Sequence, residues 1–252
     1  MATRVALANP QQPLSEIMQA LAGIQKSNRG APGYARWVNR KLGRLLAAVA
    51  FKWSLTPNQV TIVSAILTFT AITLVAAARP SIGLGILITL LLVAGFALDA
   101  ADGQLARLRG GGSAAGEWLD HVIDAVKCTS VHLVVLIGWY RFYDLPNDAL
   151  LLIPVAFTLQ SSVFFFAIIL TEQLRRPYKG IKSSTLPQTN EPAPVLRSLI
   201  VLPADYGLLC LTFLLFSAST VFIVVYTLLM VINVVFLLGA CVRWYREMAT
   251  LD

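Results

Sequence analysis

Four carboxylates stand out by type and spacing: Asp99 and Asp102 in the run Asp99-Ala-Ala-Asp102-Gly103-Gln-Leu-Ala106-Arg107, and Asp120 and Asp124 in Gly116-Glu-Trp-Leu-Asp120-His-Val-Ile-Asp124. On a helix, residues three or four apart share a face, so each pair presents both acids on one side. Both pairs lie at the ends of strongly apolar segments, where an uncompensated carboxylate is costly. Two such faces set opposite each other make a cage of carboxylate oxygens. Their mutual repulsion calls for hard divalent cations, which oxygen ligands suit. The spacing therefore predicts a metal site.

The complete pattern, Asp-x2-Asp-Gly-x2-Ala-Arg-x8-Gly-x3-Asp-x3-Asp, resembles the signature of the CDP-alcohol phosphotransferase family. All its fixed positions are matched, by Asp99, Asp102, Gly103, Ala106, Arg107, Gly116, Asp120 and Asp124. The resemblance implies an all-α integral membrane protein with six transmembrane helices preceded by an amphipathic interfacial helix. It also implies an activity: metal-dependent transfer of a substituted phosphate from a CDP-linked donor to an alcohol acceptor, releasing CMP, in phospholipid biosynthesis. Mg2+ or Mn2+, as two ions, would be held by Asp99, Asp102 and Asp120. Asp124 would be the general base and would also touch the second ion. Gly103, Ala106 and Gly116 would let the nucleotide approach the helix backbone closely, and Arg107 would contact CDP with its forked guanidinium. Small residues also help membrane helices pack, which explains any one of them taken alone.

Other residues carry weaker signals. Asn58 and Thr61 resemble a Pro-Asn-x-x-Thr element that lies near the family's nucleotide pocket, although capping accounts for the neighbouring Thr56 and Pro57. His121 follows Asp120 as in choline and ethanolamine phosphotransferases, which makes it a candidate acceptor contact, with packing equally open. Lys127 is placed to pair with Asp124 or to balance the acids, and His132 reads as packing. Arg175, Arg176, Lys179 and Lys182 form a basic cluster that could cradle a substrate phosphate. Their composition alone favours a solvated loop.

The resemblance covers two branches. In one, CDP-diacylglycerol donates a phosphatidyl group to a small polar alcohol; in the other, a soluble CDP-alcohol donates to a lipid hydroxyl. The chain's compact size favours the first, as in bacterial phosphatidyltransferases, while the Asp-His pair points to the second. Family members often form homodimers, and membrane lipids are expected neighbours. A nucleic-acid partner is not expected. The rival of another class is a cation-coupled membrane transporter, because intramembrane acids also mark ion paths. It leaves Gly-x2-Ala-Arg and the spaced Gly116 unexplained.

The elements that must position these acids are legible in the composition. Of the 252 residues, 57% are hydrophobic and 13% charged, which excludes an ordinary soluble domain. Apolar runs near residues 58–78, 81–98, 116–139, 147–171, 204–218 and 219–241 approach the ~20 residues a membrane helix needs. Ser217-Ala218-Ser219-Thr220 separates the last two. Residues 34–53 alternate basic and apolar positions as an interfacial helix does. Residues 15–25 read as a short amphipathic helix without an assigned role. The chain thus divides into an extension (1–30), a juxtamembrane helix (31–54), a six-helix domain (55–243) and a tail (244–252).

Cys128, Cys210 and Cys241 all fall in apolar segments and read as buried thiols rather than a disulfide framework. The start of the chain lacks the pattern of a cleaved signal peptide. Of the 20 Lys and Arg residues, only Arg79 and Arg141 fall in loops on one side, while Lys127 lies within the third span. The positive-inside rule then puts both termini and the acids on the cytoplasmic side of a bacterial plasma membrane.

Overall fold

Three of the long helices start where a hydroxyl cap meets an apolar run. The computed structural model describes residues 9–25, 32–182 and 195–250, apart from the side chains of 177–182 and 197, and every regular element among them is helical. Helix α1 is Leu14–Gly23, α2 is Arg40–Lys52 and α3 is Pro57–Ala77. Thr56 caps α3 in a reciprocal box: Gln59 N–H donates to Thr56 Oγ1 at 3.2 Å, and Thr56 N–H donates to Gln59 Oε1 at 2.8 Å. Helix α4, Ile82–Leu108, is capped by Ser81, and α5, Ala114–Phe142, by Ser113. Helix α6 is Leu152–Lys182, α7 Val195–Ile200, α8 Tyr206–Thr212 and α9 Ser219–Met248.

Five of these helices are long and apolar enough to cross a membrane, with mean hydropathy from 1.6 to 2.9, and the chain is an integral membrane protein. The segment expected to span at 204–218 is shorter: α8 continues only through a 3-10 turn, Phe213–Leu215. Asp205 accepts a hydrogen bond from Ala35 N at 2.8 Å, and Tyr206 meets Phe96 edge-on at the depth of the acids. Ser217, at its far end, lines a cleft with Arg79 and Arg141. The segment thus starts against the N-terminal stretch and beside the cavity at Asp99 and Asp124. The chain breaks at Ser217 and Ala218 before α9, as the polar sequence there requires.

Two buried clusters hold the bundle. One joins α3, α4, α5, α8 and α9 around Trp139, Phe213, Phe216, Phe222 and Tyr226. The other joins α1, α2 and α4, with Ile17, Leu21, Ala47, Ala48, Ala101 and Leu105 fully buried. Before α2, Ala35–Asn39 forms a π-helical turn. Trp37, Val38, Leu42 and Leu45 are exposed on this N-terminal stretch, which suits contact with lipid.

Candidate active site and metal centre

A glycine closure turns the chain from the end of α4 into α5, and both helices pack on α3. Gly110 (φ 96°) and Gly111 (φ 132°) adopt backbone conformations that side-chain-bearing residues avoid. Gly111 N–H donates to Ala106 O at 2.9 Å and Gly110 N–H to Arg107 O at 3.1 Å, the hydrogen-bond pair of a Schellman motif. The chain then re-enters a helix at Ser113, whose Oγ accepts from Gly116 N at 3.0 Å. The sequence reading overlooked this closure, although three successive glycines after the apolar run were its signal.

The reversal sets the two acidic faces opposite each other. Asp99, Asp120 and Asp124 each offer one oxygen, and these oxygens lie within 4.8 Å of one another. Asp102, 6% exposed, directs Oδ2 to the Thr61 hydroxyl, which donates at 2.6 Å. Thr61 therefore holds one carboxylate from α3, and Asn58, one turn earlier, reaches α5. A Cβ added to Gly116 would sit 2.9 Å from Asn58 Oδ1, so the absence of a side chain at Gly116 makes room for that contact.

Lys127 is the internal countercharge. Its Nζ donates to Asp99 Oδ1 at 2.6 Å and to Asp124 Oδ1 at 3.2 Å, with Ser64 Oγ 3.4 Å away. The pairing with Asp124 was legible from the spacing of one turn on α5. The shorter contact, to Asp99 on α4, was not. Ser64 in turn donates to Gly95 O at 2.8 Å, tying α3 to α4 just above the acids.

The donor set fits a hard divalent cation. Four carboxylates face one ammonium, leaving excess negative charge in an apolar layer. An octahedral ion with bonds of about 2.1 Å spaces its ligands about 3 to 4 Å apart, so oxygens within 4.8 Å need only small inward shifts. Asp99, Asp120 and Asp124 are the residues best placed to hold it, while Asp102, expected beside them, is not among the three converging oxygens and is bonded to Thr61.

The remaining candidates separate. His121 lies 3.7 Å from Glu117 and 4.0 Å from Asp120, beside the acids. Arg176 pairs with Glu117, which connects it to the same edge of the site. Arg175 instead forms a two-pronged pair with Glu247, Nε to Oε1 and Nη2 to Oε2, both at 2.5 Å, which ties α6 to the end of α9. The side chains of Lys179 and Lys182 lie outside the described residues. His132 is 1% exposed, stacks on Phe157 and bonds Tyr226 Oη at 2.6 Å, a packing role as expected. Arg107 donates from Nε to Ile24 O at 3.2 Å, and a Cβ on Gly103 would lie 3.5 Å from Arg107 Nη1. The three cysteines are free thiols.

A small cavity of about 160 Å³ opens onto Asp99, Asp124 and Lys127, walled by Phe96, Phe165 and Tyr206. A second, of about 220 Å³, shares Cys128, Phe165 and Tyr206 with it and extends between α5, α6 and α9. Asp99 and Asp124 thus face a partly open space with largely apolar walls.

Comparison with known proteins supplies the context. A family model described as CDP-alcohol phosphatidyltransferase matches residues 54–241. Among solved structures, the chain is similar to the phosphatidylinositol phosphate synthase of Mycobacterium tuberculosis, crystallised with CDP-DAG bound, at 22% identity and a TM-score of 0.50. That match covers 80% of this chain and 90% of the other. At this identity the likeness speaks for the fold. No curated protein sequence matches the chain.

Proposed function

Because this chain belongs to the CDP-alcohol phosphatidyltransferase family, we propose that the acids gathered between α4 and α5 are its catalytic centre. The chain is a transferase of phospholipid synthesis. The proposed donor is CDP-diacylglycerol and the proposed acceptor a small polar alcohol. Observed convergence carries this reading: carboxylates from two helices offer oxygens within 4.8 Å of one another, beside a cavity, within the matched region.

In the proposed reaction the acceptor oxygen attacks the phosphorus of the phosphatidyl group. The bond from that phosphorus to the bridging oxygen breaks, and CMP leaves with the electron pair. Asp124 takes the acceptor's proton, a role open to it because its second oxygen is not committed to Lys127. Asp99, Asp102 and Asp120, with Asp124, would hold Mg2+ or Mn2+, which when bound neutralises charge on the pyrophosphate. Lys127 keeps Asp99 and Asp124 together whether or not the ion is present. Thr61 fixes Asp102, while Asn58 and the small surfaces of Gly103, Ala106 and Gly116 shape the wall against which the nucleotide lies. Arg107 contacts a donor phosphate. His121, with Glu117 and Arg176, forms the edge from which an acceptor is oriented.

The acids lie toward the end of the bundle where the basic segments collect. We place that end and both termini in the cytoplasm of a bacterium.

The test is CMP release by the purified protein in detergent with Mg2+ or Mn2+. CDP-diacylglycerol is offered with a panel of alcohols, and soluble CDP-alcohols with lipid acceptors. Metal-dependent CMP release with CDP-diacylglycerol is expected. Release only from a soluble CDP-alcohol would reverse the assignment of donor and acceptor, and solute transport without CMP would overturn the reading.

A further inference from the structure

The matched family region begins at residue 54, yet α1 and the residues after it reach the donor side of the site. Ile17 and Leu21 of α1 are fully buried against α2 and α4. That docking delivers Ile24 and Gln25 to the last turns of α4. Gln25 Nε2 donates to Gln104 Oε1 at 2.7 Å and to Leu21 O at 2.7 Å. Gln104, 2% exposed, passes the connection on by donating from Nε2 to Arg40 O at 3.3 Å. Gln104 occupies one of the unspecified positions inside the aspartate signature, so the signature itself does not disclose this contact.

The consequence falls on Arg107. An arginine side chain has many rotamers, and its planar fork recognises a phosphate well only when its plane is set. Ile24 O accepts a hydrogen bond from Arg107 Nε–H, which fixes that plane and leaves Nη1 lying back over Gly103, one turn toward Asp102. A guanidinium ordered before the donor arrives loses less freedom on binding.

We propose that residues 14–25 are a positioning element of the donor site, which holds Arg107 ready for the nucleotide diphosphate through the Ile24 carbonyl and is locked to α4 by Gln25 and Gln104. This rests on Arg107 being a donor contact, as in the function proposed above. The element acts through Arg107 and not on the acids, so it sets donor affinity and leaves the chemical step alone.

The experiment measures CDP binding in the presence of Mg2+ by calorimetry, alongside CMP release from CDP-diacylglycerol, in the full-length protein. Leu21→Asp undocks α1, while Gln25→Ala loosens the lock with α1 in place. Each is made alone and combined with Arg107→Ala. Leu21→Asp is expected to raise the CDP Kd and the donor KM about tenfold, and Gln25→Ala about threefold, with kcat held within about twofold. In the Arg107→Ala background both increments should vanish, because the residue through which they act is gone. Wild-type Kd in both single variants overturns the proposal, as does full multiplication of the effects with Arg107→Ala. If Leu21→Asp does not fold, Gln25→Ala decides alone. Wild-type protein that binds CDP but releases no CMP overturns the proposed function and leaves the Kd series to judge the element. Wild-type protein that does not bind CDP overturns both.

Discussion

The two ends of the helical bundle are built on opposite principles. At the end near Ser217, Trp139, Phe213, Phe216, Phe222 and Tyr226 interlock as rings, with Trp139 and Tyr226 edge-on at 5.5 Å and Phe213 and Phe222 at 5.5 Å. Nothing in that cluster is charged, and its hydrogen bonds join neutral groups across elements, such as Tyr143 Oη to Phe216 O and His132 to Tyr226 Oη. At the other end the same helices carry carboxylates that repel one another and are restrained by Lys127, Thr61 and a glycine closure. Ring packing tolerates no ion and needs none. The acidic end holds more negative charge than its own lysine neutralises, so its structure and its chemistry are completed by what it binds. The lesson is that the far end is closed by packing alone, while the functional end adds electrostatic tension to a packed core of its own around Ala101 and Leu105.

This contrast is sharpest for Asp124. Asp124→Asn keeps shape and hydrogen bonding to Lys127 but removes the proton acceptor. Turnover should fall by about a thousandfold while CDP binding stays near wild type, measured by CMP release and calorimetry. Unchanged turnover would remove Asp124 from the role of base.

Asp99→Asn and Asp120→Asn should each cost about a hundredfold in CMP release at low metal, partly recovered at high metal, with metal titration as the readout. Chelation of the wild type should abolish release and be reversed by Mg2+ or Mn2+. Identical metal titrations in wild type and both variants would mean that the convergence of these oxygens serves packing alone.

Lys127→Met tests whether the acidic end is held by its internal cation. The buried acids then lose their partner, and the metal-free protein should be destabilised by about 3 kcal/mol, read by thermal unfolding in detergent. Added Mg2+ should restore more stability to this variant than to wild type, since the ion replaces the missing charge. Equal stabilisation of both would show that ion and lysine do not share a role.

The smallest effect belongs to the aromatic end. Tyr226→Phe removes the hydroxyl that faces His132 and should cost about 1 to 3 kcal/mol of stability. Below its unfolding temperature kcat and donor KM should be unchanged, and a change in either would couple the two ends more tightly than their construction suggests.

Much of the site was legible in the chain because it depends on short-range geometry. Asp99 and Asp102 share a face by spacing alone, as do Asp120 and Asp124, and Thr56-Pro57 announces the start of α3 wherever it packs. Even the pairing of Lys127 with Asp124 follows from their separation on one helix. The amphipathic pattern in residues 15–25 was enough to expect a helix, though not to say what it touched.

Spacing along one helix and the apolar length of each run are local properties, so the sequence by itself determined the membrane helices, their caps and the two acidic faces. Which face meets which is a property of packing between distant segments. Only the tertiary structure decided that Lys127 binds Asp99 more closely than Asp124, that Arg175 turns to Glu247, and that Ile24 O accepts a hydrogen bond from Arg107 Nε–H. It also decided that α8 is short, because Asp205 at its start is held by Ala35, far away in the chain, and the helix tightens into a 3-10 turn at Phe213.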